Sequence, residues 1–498
     1  MIYNFNLGIG WASSGVEYAQ SYRGIVLREA DIPAKFIFTD MFPNDHIEHM
    51  TKNIYFEDNE IIWLYSFFTD FEMTPVTFTK KQFEDTLPSD NFDFSRKGDV
   101  GLYEFKDDNI FYRVYFKSAK SSKVHRVEIV SQGKLLRKDY YTYAKMYSEF
   151  YAPDGDKARR YMRRFYNVDG STAYEEINQE GQDSAIYRFP DRILNSKMEL
   201  VEYMVEKLHF TKDDYVIFDR TSFVGQAVLR NAGPAKVGVV IHADHYSKGN
   251  TNDDYILWNN YYDNIFRLYK YVDFYIVSTD EQKEVLKAQF KKYCNAKPKI
   301  ITIPVGALEE LKYPETERKP YSVMTASRLA TEKHCDYDIK ACVKVHEVIP
   351  EITLDIYGEG AAKKDLKKLI KELGAQDYIR LMGQYDLTEV YKDYELYLSA
   401  STSEGFGLSL LEAIGSGLPI VGFDVPYGNP TFVDRGKNGH LYKFDEKTSE
   451  AEKIQALADM MIKYFTKDNR EDYHKHSYEV ASKYLKGEVM DKWIKLLK

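Results

Sequence analysis

Cysteine is scarce: Cys294, Cys335 and Cys342 are the only three in 498 residues. Their number and spacing exclude a disulfide framework and a zinc site, and they fit a reducing compartment. No apolar run comes near the roughly 20 residues needed to cross a bilayer. The start, MIYNFNLGIGWASSGVEYAQ, lacks the basic residues and apolar block of a signal peptide. Positive charge is in deficit as well: 68 Lys and Arg against 77 Asp and Glu leave a formal charge of −9. That argues against a generic nucleic-acid binder, though it permits a local basic cleft. The expectation is a soluble cytoplasmic protein with no nucleic-acid partner.

Aromatic residues are abundant, with 42 Tyr and 29 Phe. Tyrosine at that level suggests strand-rich regions and wet interfaces, where an apolar ring with a polar tip fits. The length suggests two to four domains.

Three textures follow one another. The first 40 or so residues look α/β: a strand in MIYNFNLGI, a helix in GVEYAQSYRGIVLREA and a strand in AKFIFTD. From about Asn44 to Lys197, aromatic or β-branched residues alternate with charged ones, and Gln132-Gly133 and Asp169-Gly170 supply turns. Period two with Gly-containing turns predicts an antiparallel meander, with an exposed edge or face that a partner protein would cover. From Met198 the α/β texture resumes, and after a polar connector near Tyr313–Pro320 a second run of strands alternates with helices. The fold class is therefore α/β, with two doubly wound sheets facing a cleft and a β-meander inserted in the first. The predicted division is 1–43 with 198–315, an insert over 44–197, a second Rossmann-like domain over 316–480, and a terminal helix over 481–498 packing back toward the first domain.

Open parallel sheets bind ligands at the carboxyl ends of their strands, and the candidate motifs fall there. STSEGFGLSLLEAIGSGLP follows the strand YELYLSAS and places Glu404 and Glu412 around Gly405 and Gly407. Free amides at a helix start attract phosphate, and carboxylates accept hydrogen bonds from sugar diols. Either glutamate alone reads more readily as a solvated residue near a helix N-terminus; the pair with this glycine pattern reverses that and favours a polar ligand. TASRLATEKH puts Arg328 and Lys333 at another strand end, where two cations can neutralise a diphosphate leaving group; alone, they read as a solvated pair. NLGIGWASSGVEYAQ holds Gly8, Gly10 and Gly15 between a strand and a helix, with the wrong spacing for a dinucleotide fingerprint but suited to a diphosphate or a tight turn. VGVVIHADH sets His242 directly after a strand and His245 close behind, for a sugar hydroxyl or as structural histidines. Asp336 and Asp338 have the spacing of a metal-binding acid pair, but sit in a predicted helix where both are expected to be solvated.

Glu404, Glu412, Arg328, Lys333 and the Gly-rich loop together resemble the retaining glycosyltransferases of family 4, which have the GT-B fold. A narrower resemblance spans nearly the whole chain. YILWNN, PVGAL, TASRLATEKH, LDIYGEG and the Glu404–Glu412 segment are similar to the catalytic glycosyltransferase of the bacterial accessory Sec system. That family starts O-glycosylation of serine-rich repeat adhesins, carries a β-meander insert, and works with a homologous non-catalytic companion subunit. The resemblance implies that Gly15, Val16, Glu17 and Tyr18, with Arg328 and Lys333, hold the UDP diphosphate. Gly383 and Gln384 would meet the uracil and Glu412 the ribose. His242, Glu404, Gly405, Phe406 and Gly407 would contact the donor sugar, with Leu408 among the residues that bind the UDP-sugar. It further implies transfer of N-acetylglucosamine (or glucose) to Ser or Thr with retention, a UDP-sugar substrate, no cofactor or metal, and a place in the cytoplasm or peripheral at the inner face of the cell membrane.

Two rivals stand beside it. Wall teichoic acid or poly(glycerol phosphate) glycosyltransferases share the insert, and the basic stretch Arg159–Arg164 suits a polyanionic acceptor. A non-catalytic adhesin-binding companion is the other, although the presence of Arg328, Lys333, Glu404 and Glu412 speaks against it.

Overall fold

A computed structural model describes residues 1–9, 15–42, 46–105, 109–178, 184–220, 222 and 224–497. The chain divides into two compact units. The first comprises Met1–Ser13, Ile32–Gly238 and Asn264–Val272; the second comprises Ser14–Asp31, Val239–Asp263 and Asp273–Lys498.

In the first unit the strand Ile2–Asn6 pairs in parallel with Tyr215–Phe218 on one side and Ala34–Phe38 on the other. These short apolar strands are buried, as a parallel sheet requires. Ile61–Trp63 adds a further parallel strand beside Ala34–Phe38. The antiparallel strands thus begin at Asp93, well past residue 44. Three residues are too few to show a period, which is why the sequence does not separate Ile61–Trp63 from the meander.

Ten antiparallel strands then run in strict chain order from Asp93–Lys97 to Ile193–Leu194. Gln132 and Gly133, with φ of 50° and 73°, make the two-residue turn between Val124–Ser131 and Lys134–Tyr141, both in the left-handed region such hairpins need. Rings stack across successive strands: Tyr140 on Tyr147 at 4.3 Å, Phe165 on Tyr174 at 4.4 Å, and Tyr174 on Phe189 at 4.7 Å. These cross-strand pairs are one use of the surplus tyrosine. Alongside them lies a buried ionic ladder, Glu149–Arg163–Glu176, with Arg163 Nε 2.8 Å from Glu149 and Nη1 2.9 Å from Glu176. The edge strand Asp93–Lys97 is exposed along its whole length.

The second unit holds a six-stranded parallel sheet in the order Ile379–Gly383, Thr353–Tyr357, Ser322–Ala326, Leu396–Ser399, Ile420–Asp424, Gly439–Lys443. From its central strand the chain builds outward on one side, then returns to build the other. The crossover between Ser322–Ala326 and Leu396–Ser399 is the switch point where such sheets receive ligands. The helix Lys486–Leu497 buries Val489 and Trp493 and packs on the helix Gly15–Glu29, with Lys486 Nζ 2.6 Å from Glu29 and the Arg23 guanidinium over the Trp493 ring. All three cysteines are free thiols, and Cys335 and Cys342 are buried.

Candidate nucleotide-sugar site

Two strand ends flank the switch point. After Ser322–Ala326 the chain passes Arg328 and makes a tight turn, Thr331–Lys333. After Leu396–Ser399 it runs through Thr402, whose N–H donates to Glu332 O at 3.0 Å, and so comes alongside that turn. The result is a contact between the two motifs: Lys333 Nζ donates to Glu404 Oε2 at 2.6 Å. Both side chains are mostly buried, at 19% and 16% exposure. Arg328 points outward at 73% exposure and pairs with Glu332 at 2.9 Å.

The backbone of Glu404 is fixed from the next strand end. Its carbonyl accepts from the N–H groups of Tyr427 and Gly428, both at 2.7 Å. Phe406 is buried against Phe432 and Tyr484 and anchors the loop. The glycines around it have distinct reasons. A Cβ on Gly405 would stand 2.8 Å from His242 O, so the loop lies directly against the strand end that carries His242. Gly407, at φ 87°, begins the helix Leu408–Gly415, and a Cβ there would meet Leu410 Cδ1 at 2.7 Å. Half-buried His242 donates its backbone N–H to Tyr262 Oη at 2.9 Å. His242, Lys333 and Glu404–Leu408 are thus brought together.

Glu412 lies in the second turn of that helix, on a cavity of about 630 Å³. It keeps accessible surface, but the surface is that of a concavity, and the enclosing protein raises the carboxyl pKa. Buried Tyr391 opposes this by donating to Glu412 Oε2 at 2.8 Å. Tyr385, Asp386 and Lys312 share the cavity. Gly383, at φ 80°, closes its strand, and exposed Gln384 leads directly into Tyr385.

Residues 10–14, with Gly10 of the Gly-rich loop, lie outside the described residues. Gly15–Tyr18 forms the first turn of the helix Gly15–Glu29; Glu17 is buried, Val16 partly buried, and Gly15 and Tyr18 are exposed. A Cβ on Gly15 would meet open space, so packing does not dictate that glycine. One turn on, Ala19, Tyr22 and Arg23 share a small cavity with His242.

Two expectations about buried groups change or sharpen. Asp338, expected to be solvated, is 1% exposed: its helix face packs under the sheet, where Asp338 Oδ1 accepts from Ala400 N–H at 3.2 Å. Burial, with Asp336 nearby, holds its pKa well above the usual carboxylate range. Asp336 instead faces Lys340 at 3.4 Å. Among the described residues, no group of three His, Cys, Asp or Glu is arranged to hold a metal ion. His245 is fully buried, its Nε2 2.6 Å from Gln289 Oε1, and burial lowers its pKa to about 4.

Sequence reasoning missed Tyr391 and Tyr427. Buried Tyr427 donates to Asp244 Oδ1 at 2.9 Å and stacks on His245 at 5.9 Å, tying the Glu404 loop's support to the His242 strand end. Its position just past the strand Ile420–Asp424 was the available signal.

Comparison with known proteins gives the family. Residues 307–477 match the family "Glycosyl transferases group 1", and residues 93–191 match the "GtfA extended beta-sheet domain". The UDP-N-acetylglucosamine–peptide N-acetylglucosaminyltransferase GtfA subunit of Streptococcus gordonii is 50% identical over 100% of this chain and 98% of its own length. The chain belongs to the GtfA family of glycosyltransferases. The GtfA subunit of Streptococcus pneumoniae serotype 4 is 45% identical over 99% of this chain and 98% of its own. Among solved structures, a GtfA/B complex contains a chain similar to this family member with a TM-score of 0.96, 50% identity and coverage of 100% and 99%. The pneumococcal O-GlcNAc transferase GtfA in complex with UDP and GlcNAc gives a TM-score of 0.91, 45% identity and coverage of 100% and 98%. TarM, at 20% identity and a TM-score of 0.79, shares the fold. That fold is GT-B, with the antiparallel sheet set into the N-terminal region.

Proposed function

We propose that this chain transfers N-acetylglucosamine from UDP to Ser and Thr hydroxyls of a serine-rich repeat adhesin, with retention of configuration, as the first step of its O-glycosylation before export. The Lys333–Glu404 contact at the switch point carries the reading, in a chain whose full-length relatives bear the name of a UDP-N-acetylglucosamine–peptide transferase. In the proposed arrangement Glu412 accepts from the ribose diol and Gly383 and Gln384 meet the uracil. Lys333, Arg328 and the Gly15–Tyr18 turn balance the diphosphate, whose charge grows as the sugar bond breaks. His242 and Glu404–Leu408 hold the sugar, and the acceptor hydroxyl attacks from the face that UDP leaves, giving up its proton to the departing diphosphate. Protein cations supply the charge a metal supplies elsewhere, so the reaction is expected to run without one.

A homologous companion subunit is the expected partner, the exposed edge of the meander its expected contact, and the cytoplasm its place. No helix among the described residues is long and apolar enough to cross a membrane. The basic stretch Arg159–Arg164 does not favour a polyanionic acceptor: Arg160 and Arg163 are paired with Glu149 and Glu176, and Arg164 with Glu175.

The test is mass spectrometry of a Ser/Thr-rich repeat peptide after incubation with the protein and UDP-GlcNAc or UDP-glucose in EDTA, with and without the companion. A gain of one N-acetylhexosamine in EDTA is the expected result. No transfer from either donor, with companion present and metal restored, would overturn it.

A further inference from the structure

Among the described residues, a separate cavity of about 200 Å³ is lined by residues of the first unit. His46, Glu48 and His49 come from the short helix Ile47–Lys52 and the residue before it, and His125 from the strand Val124–Ser131. Asp99 O accepts from Phe116 N–H at 2.8 Å, which sets Asp99 and Lys117 on one wall. Phe116 and Val76 supply the apolar part of the lining. The imidazoles of His46 and His125 meet edge to face at 5.7 Å, and His46 Nε2 lies 3.4 Å from His125 O. None of the residues assigned to the nucleotide-sugar lines it.

The lining selects a ligand class. Glu48, 3% exposed, is matched by Lys52 at 3.2 Å, and Asp99 and Lys117 carry opposite charges. A simple anion would meet the carboxylates, and a simple cation the ammonium groups. The histidines and acids are not arranged to hold a metal. A neutral polyhydroxyl ligand suits both signs at once: carboxylates accept from hydroxyls, Lys117 donates to them, and imidazoles do either. Phe116 is 1% exposed, with the Arg96 guanidinium over its ring at 3.8 Å from the centroid, so the polar side chains, not this ring, carry the contacts to a ligand. The volume far exceeds what one water needs and falls below that of a pocket for a drug-sized ligand. It suits one sugar ring.

We propose that this cavity is a saccharide site, distinct from the donor site, that holds one N-acetylglucosamine already attached to the acceptor and so retains the polypeptide between transfers. The choice of sugar rests on the proposed reaction; the polyhydroxyl class rests on the lining alone.

The experiment follows imidazole NMR signals of the full chain, labelled at its 11 histidines. His46→Gln, His49→Gln and His125→Gln assign the three signals. Methyl N-acetyl-α-glucosaminide is titrated with UDP saturating, and inorganic phosphate is titrated in parallel. The three signals should shift together and saturate with the sugar. Asp99→Asn and Lys117→Ala should each weaken that response about fivefold, the size of one lost hydrogen bond, with UDP affinity unchanged. Both positions are exposed, so folded variants are expected. No movement of the three signals at sugar concentrations that perturb His242 would overturn the proposal, and so would a response to phosphate alone. The readout needs no catalysis, so failure of the proposed transfer leaves a positive binding result standing.

Discussion

Lys333 Nζ and Glu404 Oε2 stand 2.6 Å apart although 71 residues separate them in sequence. Each is the charge that makes the other tolerable in a largely buried place, and removal of one partner leaves the other uncompensated. Lys333→Ala is therefore expected to lose roughly 10²- to 10³-fold in kcat, the scale for deleting a group that stabilises developing charge, and to raise the Kd for UDP. Glu404→Gln keeps the shape and loses the charge, so transfer should fall more than UDP affinity. Arg328→Ala should damage both UDP binding and transfer, yet leave the melting temperature unchanged because the side chain is so exposed. Calorimetry with UDP and a peptide-transfer assay on the three variants check this. Unchanged affinity and rate in all three would overturn the site assignment.

Tyr391→Phe tests how Glu412 is held. The phenol's hydrogen bond favours the carboxylate against the pull of burial. Without it the carboxyl pKa rises further, and one oxygen loses its fixed direction. A hydrogen bond to a charged group contributes about 1.5–3 kcal/mol, so UDP should bind roughly ten- to a hundredfold more weakly. The sign with pH follows. Only the ionised form accepts two bonds from a diol, so wild-type UDP affinity should fall on acidification at a pH above the ordinary glutamate range. In Tyr391→Phe that fall should begin at higher pH still. Isothermal titrations across the acid range measure both. Coincident pH profiles would show that Tyr391 does not tune Glu412.

Much of this arrangement was legible in the sequence, for physical reasons. Glu404 and Glu412 stood out because carboxylates in an apolar segment need a partner, and they followed a strand too apolar to be anything but buried. Gln132-Gly133 announced its hairpin because so few residue pairs adopt two positive φ angles. Asp338 was misread because the face a helix turns inward is set by what packs on it, not by its own spacing. The strand Gly439–Lys443 carries little sequence signal because GHLYK mixes polar and apolar residues at a sheet edge. Tyr391 could not be tied to Glu412, since nothing local relates residues 21 positions apart. The charges of Arg160 and Arg163 looked solvent-facing because period two shows which side chains share a face, but not that the face is covered.

His245 predicts an acid-sensitive contribution to stability. Its folded pKa is lowered to about 4 by burial, against about 6.5 in the unfolded chain. The unfolded state therefore takes up the proton first. The stabilisation is whole above pH 6.5 and is lost as pH falls from there through about 4. The window of about 2.5 pH units bounds the loss at about 3 kcal/mol. Chemical denaturation of wild type and His245→Asn from pH 7.5 to 4.5 should show the shallower pH dependence in the variant. Parallel curves would mean that the imidazole is protonated in place.

Arg163 in the meander gives the largest expected effect on stability. It lies 5% exposed between Glu149 and Glu176, each 3% exposed, with Arg160 reaching both carboxylates at 3.3 and 3.4 Å. Burial raises the Glu176 pKa even beside this cation, so the carboxylate depends on Arg163 for what charge it keeps. Arg163→Met removes the cation and leaves two buried acids with Arg160 alone, a loss of about 3–5 kcal/mol. Adding Glu149→Gln and Glu176→Gln should recover part of that loss, because the uncompensated charge disappears and the amide at position 149 can still bond to Tyr140 and Tyr151, the phenols that now donate to Glu149. Thermal unfolding of the single and triple variants separates the two terms. If the triple variant is no more stable than Arg163→Met, the ladder acts through packing, not through charge balance.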